Sequence, residues 1–521
     1  MRRTGSVGGS PEVGPLGAIA EVLGAAVLLY CLAYNTLQLA FVILALREVR
    51  RMLRGKAYED LDIVHDSPFT PPLTVIVPAY NEEKTIVESL ASLARLRFPR
   101  YEIVVVNDGS TDRTVPRMID HLGFERIEIT YEGHISTAPV RGFYEKREGL
   151  PAGVARWVLV DKENGGKADA LNAGINASTC PFFVSMDADS LIDENAMLEA
   201  LRVILSDDSV AAVGGQVALA NGCEIRDGRI ERMGIPGSHL ARFQIVEYLR
   251  SFALGRTALG RLESILVISG VFGIFRKDTV LRVGGYLTRF LSGRIALEYA
   301  GRGRSTVCED MEIIVRIQRY LREKRLRQRV AFTPYPLCWT EAPETAGSLS
   351  KQRNRWTRGL AETLSYHRTL LFSRRHGRIG MFAYPYFFLF ELLGAPLELL
   401  GYIAVPVFFL AGILSLPFLG MFFLASAGYG TMVSVAAVVA SAWPVPAGSP
   451  GDAHITLLRY RKKDVAVLLL YALLENFGYR QWTLWWRVRG IWDYLFSDKG
   501  WEKFERKGFG EQQVPGKGVR A

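Results

Sequence analysis

Residues Val22 to Leu46 form a run of 25 without one charged side chain. A helix rises about 1.5 Å per residue, so about 20 apolar residues span a bilayer core. The run is long enough to cross a membrane. It is too long for the apolar stretch of a cleaved signal peptide, and no good cleavage site follows it. Arg47, Arg50, Arg51, Arg54 and Lys56 come directly after it, against Arg2 and Arg3 before it. The more basic flank belongs on the cytoplasmic side, which predicts an external N-terminus and a cytoplasmic domain after the helix.

A second apolar region begins near Met381, and Leu399 to Gly451 carries no charge at all. It can supply two spans, with turns around Pro417 and after Trp443. Val465 to Trp486 is a weaker third candidate, interrupted by Glu475 and Arg480. Glu391 and Glu398 also sit among apolar residues. Ionisable groups are costly against lipid, so these two are expected to face protein or water. Three spans after a cytoplasmic domain would put the tail outside. The tail carries Arg487, Arg489, Lys499, Lys503, Arg506 and Lys507, which favours the inside. One apolar block is therefore expected to be interfacial or re-entrant.

Composition narrows the partners. Lys plus Arg number 63 and Asp plus Glu 53, a net charge of +10. No dense basic block with interleaved aromatics accompanies that charge, so nucleic acid has nothing specific behind it. A basic surface beside anionic lipid, or one facing a phosphate substrate, is the simpler reading. The five cysteines, Cys31, Cys180, Cys223, Cys308 and Cys338, are scattered, without a Cys-x-x-Cys pair. That argues against a disulfide framework or zinc site and for a reducing compartment.

Between the apolar blocks, residues 70 to 375 read as α/β. Leu73–Val77, Glu102–Val106, Trp157–Val160 and Phe182–Met186 are short β-branched or aromatic runs. Helical segments such as Glu83–Leu96 and Ala168–Ala177 lie between them. That alternation predicts a mostly parallel sheet, which binds ligands beyond the carboxyl ends of its strands. The first strand runs into Pro78-Ala79-Tyr80-Asn81-Glu82-Glu83, and the second into Asn107-Asp108-Gly109-Ser110-Thr111-Asp112. Either alone could be a helix cap. Two on neighbouring strands are better explained by a shared polar ligand.

The fourth strand ends in Asp187-Ala188-Asp189. Two carboxylates near one point repel unless a cation joins them, and hard oxygen ligands suit Mg²⁺ or Mn²⁺ with substrate phosphates completing the shell. A capped turn is the bland alternative. Gly165-Gly166-Lys167 opens a helix, and both a lysine and a helix N-terminus attract phosphate. The P-loop spacing is absent. Cys308-Glu309-Asp310 begins a helix running to about Lys324, and Asp310 could act as a general base. Its alternative role is to complement the helix dipole. Gln352-Arg353-Asn354-Arg355-Trp356 offers arginines for a leaving diphosphate and an indole for a sugar ring. A basic segment at the membrane surface would read the same way.

Taken in this order along one domain, the strings resemble the membrane-integrated, processive family 2 glycosyltransferases, which include cellulose, chitin, hyaluronan and poly-N-acetylglucosamine synthases. The resemblance covers about residues 70 to 360. It implies a GT-A (Rossmann-like) fold and inverting transfer from a UDP-sugar, UDP-N-acetylglucosamine being favoured, to a growing β-linked polysaccharide. Carried over by position, Asn81, Glu82 and Asp108 would hold the nucleoside, and Lys167 would lie near the uracil or diphosphate. Asp187 and Asp189 would bind donor and metal, with Asp189 the more direct ligand. Asp310, beside Glu309, would be the catalytic base, with Cys308 replacing the usual first residue of that motif. Gln352, Arg353 and Arg355 would contact the diphosphate and Trp356 the acceptor. Ser269-Gly270-Val271-Phe272-Gly273 resembles the family's acceptor-side segment. Pro385 to Gly401, and the tail Gly500-Trp501-Glu502-Lys503 with Arg506, look more like the poly-N-acetylglucosamine branch than cellulose synthase.

The expected organisation is a disordered 1–15, a transmembrane helix in 16–47 and a glycosyltransferase domain in 68–375. A membrane region follows in 379–487, with two to four helices, and a basic tail in 488–521. The resemblance implies a plasma-membrane protein with UDP-sugar, polysaccharide or lipid acceptor, membrane lipids and an accessory export subunit as partners, and Mg²⁺ or Mn²⁺ as cofactor. Two alternatives stand beside it: transfer of a single sugar to a lipid, and a non-catalytic export subunit. The segments Tyr131–Arg156, Asn221–Leu240 and Thr288–Val307 match no motif.

Overall fold

The computed structural model of the chain describes residues 15–56, 61–129, 133–188, 190–226, 229–291, 293–301, 303–443, 445–446, 454–455 and 460–497. Asp189, Arg2, Arg3 and the tail from 498 onward lie outside the described residues. So do nearly all the positions expected to be disordered.

The central domain is built on one mixed sheet. Its strands are β1 (Leu73–Ala79), β2 (Tyr101–Asp108), β3 (Glu125–Ile127), β4 (Val140–Glu145), β5 (Val154–Lys162), β6 (Phe182–Met186), β7 (Leu191–Ile192) and β8 (Val210–Leu219). A separate hairpin, β9 (Glu224–Arg226) and β10 (Arg229–Arg232), precedes β11 (Phe272–Arg276) and β12 (Arg329–Thr340). The sheet order is β3-β4-β5-β2-β1-β6-β11-β8-β12-β7. β5, β2, β1 and β6 run parallel, and β11 enters antiparallel between β6 and β8. All of β2 and β8 is buried. Burial on both faces is why these strands read as continuous apolar runs rather than alternating ones.

All four sequence-predicted strands are present, each as long as expected or longer. The helix expected over Glu83–Leu96 is confined to Ile86–Leu93. The residues before it are held in a turn, where the Glu82 and Glu83 backbone amides donate to Thr114 and Asp112 side chains. The three motif-free segments hold β4 and part of β5, the β9–β10 hairpin, and a helix over Arg294–Ala300.

From β1 the chain moves to β2 on one side and later returns to β6 on the other. Where strand order reverses, the loops beyond the strand ends part and leave a crevice. Asn81 follows β1, Asp108 ends β2, and Asp187 follows β6, so all three stand at its rim.

Three helical runs are long and apolar enough to cross a membrane: Pro15–Met52, Ile379–Leu410 and Leu416–Ala442. The weaker candidate, Val465 to Trp486, is instead divided between helices Lys462–Leu474 and Tyr479–Phe496. The break falls at Gly478, whose φ of 104° suits glycine. Neither piece joins the three. Glu398 is buried and bound by both ends of the Arg480 guanidinium at 2.5 and 2.8 Å. Glu391 accepts from the Tyr386 hydroxyl at 3.0 Å and lies 3.3 Å from Arg487. Arg250, from the central domain, meets Glu475 at 2.7 Å and Ser434 at 2.5 Å. Both glutamates therefore face protein, as the cost of a charge against lipid requires.

Candidate active site

The turn after β5 begins with a buried charge cluster. Lys162 is fully buried, and its ammonium lies 2.7 Å from Asp108 and 2.6 Å from Asp169. Asp108 also accepts backbone hydrogen bonds from Gly165 at 2.9 Å and Gly166 at 2.8 Å. Asp169 accepts from the Ala138 amide, and burial pushes its carboxyl up against the pull of Lys162. A Cβ on Gly165 would sit 2.3 Å from an Asp169 oxygen, which explains glycine there. Asp108, expected on the nucleoside, thus has both carboxylate oxygens engaged in shaping the Gly165-Gly166 turn.

That turn delivers Lys167 to the first position of the helix Lys167–Ala177. The Lys167 ammonium lies 2.6 Å from Asp187 and 2.9 Å from Glu309. Burial alone would favour the neutral amine, yet the two carboxylates outweigh it and raise the lysine further. Lys167 therefore ties the end of β6 to the start of the helix Glu309–Glu323.

Asp310 lies in the first turn of that helix. One of its oxygens accepts from the Gly270 amide at 3.0 Å, the other from the Met311 amide at 2.9 Å. Burial and the adjacent Glu309 push its carboxyl above the usual range, while Lys167 and Arg256 oppose them. A side chain at Gly270 would approach Lys167 and Asp310 at 3.1 and 3.3 Å, so the bare backbone lets the two groups share one place. Beneath them, Arg316 clasps Glu312 at 2.6 and 2.9 Å, with both side chains fully buried. Arg316 and then His367 overcome the burial penalty and draw Glu312 down to about 2.

The helix Ala346–Tyr366 presses against this assembly. The Cys308 sulfur lies 3.9 Å from the Arg355 carbonyl oxygen. A Cβ at Gly359 would fall 2.3 Å from that sulfur and 2.5 Å from the Cys308 Cβ. We expect Gly359→Ala to cost about 1–3 kcal/mol by overpacking. It should also displace the Cys308–Asp310 turn and lower activity. A thermal melt paired with a turnover assay checks this, and wild-type values in both would contradict it.

Arg353 is paired within the protein. Its guanidinium forms a two-pronged pair with Glu247 at 2.8 and 2.9 Å and lies over the Trp356 ring at 4.7 Å. Glu247 also accepts from Tyr479 at 2.9 Å, so Arg353 joins the domain to the C-terminal helices. Asn354 and Asp493 make a second such tie at 2.8 Å. The Gln352 side-chain oxygen is buried with no hydrogen-bond partner among the described residues. Arg355 is half-buried on the same helix. Trp356 packs against Phe252, ring centres 5.9 Å apart.

Asn81 adopts a left-handed conformation with φ of 54°. Its amide donates to the Ser110 hydroxyl at 3.0 Å and its side-chain oxygen accepts from the Thr111 amide at 2.8 Å. Glu82 accepts from the Thr85 hydroxyl at 3.1 Å. The two strand-end loops therefore brace each other, forming one wall of the crevice.

The structure brings Lys167, Asp187, Glu309 and Asp310 together. It sets Asn81, Glu82 and Asp108 in the supporting loops, and Gln352, Arg355 and Trp356 on the flanking helix. No cluster of three His, Cys, Asp or Glu suited to a metal occurs among the described residues. Asp187 already has a cation on one oxygen, the Lys167 ammonium. A single carboxylate here fits Mg²⁺ or Mn²⁺, which take one or two carboxylates and complete their shells with phosphate. Sequence reasoning passed over Lys162, Asp169, Glu247 and Arg256. Only Lys162 carried a local signal, being a charge at the end of an apolar strand.

A family model described as "Glycosyltransferase like family 2" matches residues 71–359. A poly-beta-1,6-N-acetyl-D-glucosamine synthase of Staphylococcus aureus is 26% identical over 319 residues, covering 61% of this chain and 60% of that protein. The enzyme of the same name from Staphylococcus epidermidis is 28% identical over 293 residues, covering 56% and 55%. The chain thus spans about 60% of the length of the first of these curated relatives. A mannosyltransferase from Pyrobaculum calidifontis, solved with GDP-Man and Mn²⁺, aligns over 93% of this chain and 100% of its own at 20% identity and a TM-score of 0.49. With its mixed α/β sheet of GT-A type, and a match over more than half its length, this chain belongs to the family 2 glycosyltransferases.

Proposed function

We propose that the protein is an inverting hexosyltransferase that moves N-acetylglucosamine from its UDP donor to a growing β-linked polysaccharide at a membrane. The observation that carries this reading is the junction of Lys167 with Asp187 and Glu309, beside an Asp310 fixed by the Gly270 amide. It joins a basic group for a diphosphate to a buried carboxylate suited to take a proton.

The donor would lie in the crevice between β1 and β6, its uracil against the Asn81–Glu82 and Asp108 loops. Asp310 takes the proton from the acceptor hydroxyl as that oxygen attacks the anomeric carbon, and the bond to the diphosphate breaks on the opposite face. A single displacement turns an α-linked donor into a β-linked product. Lys167 counters the charge that develops on the leaving group, the principal electrostatic demand of the step. Asp187, with Asp189, would hold Mg²⁺ or Mn²⁺, which when bound neutralises part of the diphosphate charge. Gln352 and Arg355, on the flanking helix, would reach toward the same diphosphate.

The helices support a membrane setting. One span before the domain and two after it return the tail to the side of the domain. That agrees with Arg487 and Arg489, and it removes the conflict created by three later spans. Helix Tyr479–Phe496 exposes Trp482, Trp485, Trp492 and Phe496, the side chains expected of a helix lying in the interface. This arrangement and the named relatives support the reading of a plasma-membrane location and a polysaccharide acceptor.

The test is UDP release by detergent-purified protein across a panel of nucleotide sugars, with Mg²⁺, Mn²⁺ or EDTA. Release with UDP-N-acetylglucosamine that EDTA abolishes is expected. Release only with another donor overturns the sugar assignment, and release that survives EDTA overturns the metal assignment.

A further inference from the structure

Outside the groups given roles above lies a buried arginine whose charge acts on Asp310. Arg256 starts the helix Arg256–Arg261, directly after Tyr248–Gly255, which is wound as a π-helix. Such turns recur at functional sites. The side chain lies over the Phe252 ring at 4.1 Å, and the residue is only 9% exposed. Its Nη1 has no hydrogen-bond partner among the described residues. Burial pulls the guanidinium down to about 10, with Asp310 the main charge opposing that pull. Tyr248 and Cys338 also act on it, and Cys338 in turn feels Asp187. Phe252 in turn packs against Trp356, ring centres 5.9 Å apart, so Arg256 stands one ring away from the candidate acceptor residue.

A second orphan donor lies in the same region. Trp339 and Tyr248 share one apolar cluster, against which Phe252 and Trp356 pack. The Trp339 indole Nε1 is buried and has no partner among the described residues. A buried polar group without a partner is costly, more so when charged. Two unfilled donors beside aromatic rings match what a sugar presents: oxygen acceptors around its rim and an apolar face of C–H groups.

We propose that Arg256 Nη1 and Trp339 Nε1 form an acceptor subsite, donating hydrogen bonds to oxygens of the sugar whose hydroxyl is presented to Asp310. The inference rests on the glycosyltransferase reading and adds to it the residues that choose and orient the acceptor. No proton changes hands at either residue. Both hold the acceptor while Asp310 takes its proton.

Arg256→Gln, Arg256→Lys and Trp339→Phe test it. The last removes one N–H and keeps an aromatic ring, so it serves even where loss of the arginine prevents folding. Each variant is assayed with UDP-N-acetylglucosamine and Mn²⁺, with and without a short N-acetylglucosamine oligosaccharide. Sugar incorporated and UDP released are measured separately. Loss of a charged hydrogen bond predicts incorporation about ten- to a hundredfold lower in Arg256→Gln, with a smaller loss in Trp339→Phe. UDP binding should stay near wild type. UDP release should exceed incorporation, because water replaces the misplaced acceptor. Wild-type incorporation in Arg256→Gln or in Trp339→Phe overturns the subsite. Equal loss of UDP binding and incorporation overturns it too, since the residues would then serve the donor or the fold. A wild-type protein that binds no nucleotide sugar overturns the underlying reading instead.

Discussion

Asp310→Asn should lower sugar transfer by about 10²- to 10⁴-fold, the usual contribution of a positioned general base. UDP-N-acetylglucosamine binding should stay near its wild-type value. The asparagine keeps the shape, and its one oxygen can accept from either the Gly270 or the Met311 amide, but it cannot take a proton. The pH profile provides an independent check. Burial and Glu309 raise the Asp310 carboxyl, so the base is ionised only above that raised value. Transfer should therefore increase as pH rises through a point above about 4, the ordinary aspartate range. A steady-state profile measures this. An acid limb at or below that ordinary range, or a variant with wild-type transfer, would remove Asp310 from the role of base.

Lys162→Met should have the largest effect on stability. It strips the counter-charge from Asp108 and Asp169, which are 3% and 0% exposed. Breaking a buried ion pair by removing one partner typically costs about 3–5 kcal/mol, because a charge is left stranded. The Gly165-Gly166 turn should also loosen, and with it the aim of Lys167. Urea or thermal unfolding reads the first effect, and UDP binding the second. Combining Lys162→Met with Asp108→Asn and Asp169→Asn removes the stranded charges and should recover much of the stability. It should not restore UDP binding, because the turn has lost its organising carboxylate. A single variant that melts with the wild type would show that this cluster does not carry the turn.

The strand-end groups were legible because a parallel sheet makes them so. Asp108 and Asp187 stand where apolar runs stop, and Lys167 and Asp310 stand at helix starts, so each was visible within a few residues. The membrane helices were legible from length and lack of charge. What stayed hidden depends on partners far along the chain. Nothing around Arg353 announces Glu247, which is 106 positions away and pairs with its guanidinium. Arg256 sits in an ordinary helical stretch, and its meaning comes only from Phe252 beneath it and from the charge of Asp310. The number of later spans turned on Gly478, a single residue that divides a stretch long enough to cross into two helices of which neither joins the spans.

These ties also bear on function. The helix carrying Gln352 to Trp356 is fastened to the C-terminal helix through Asn354–Asp493, and through the Arg353–Glu247–Tyr479 chain. A Cβ at Gly490 would come within 2.8 Å of the Asn354 carbonyl oxygen, so the two helices touch backbone to backbone. The helix that carries Gln352 to Trp356 is thus built against the C-terminal helix Tyr479–Phe496.

The most direct test is the product itself. Detergent-purified protein would be incubated with labelled UDP-N-acetylglucosamine and Mn²⁺, and the product sized and its anomeric configuration read by NMR. Long chains of β-linked N-acetylglucosamine are the predicted result. An α-linked product, or one that stops after a single sugar on a lipid, would contradict inverting, repeated transfer to a polysaccharide.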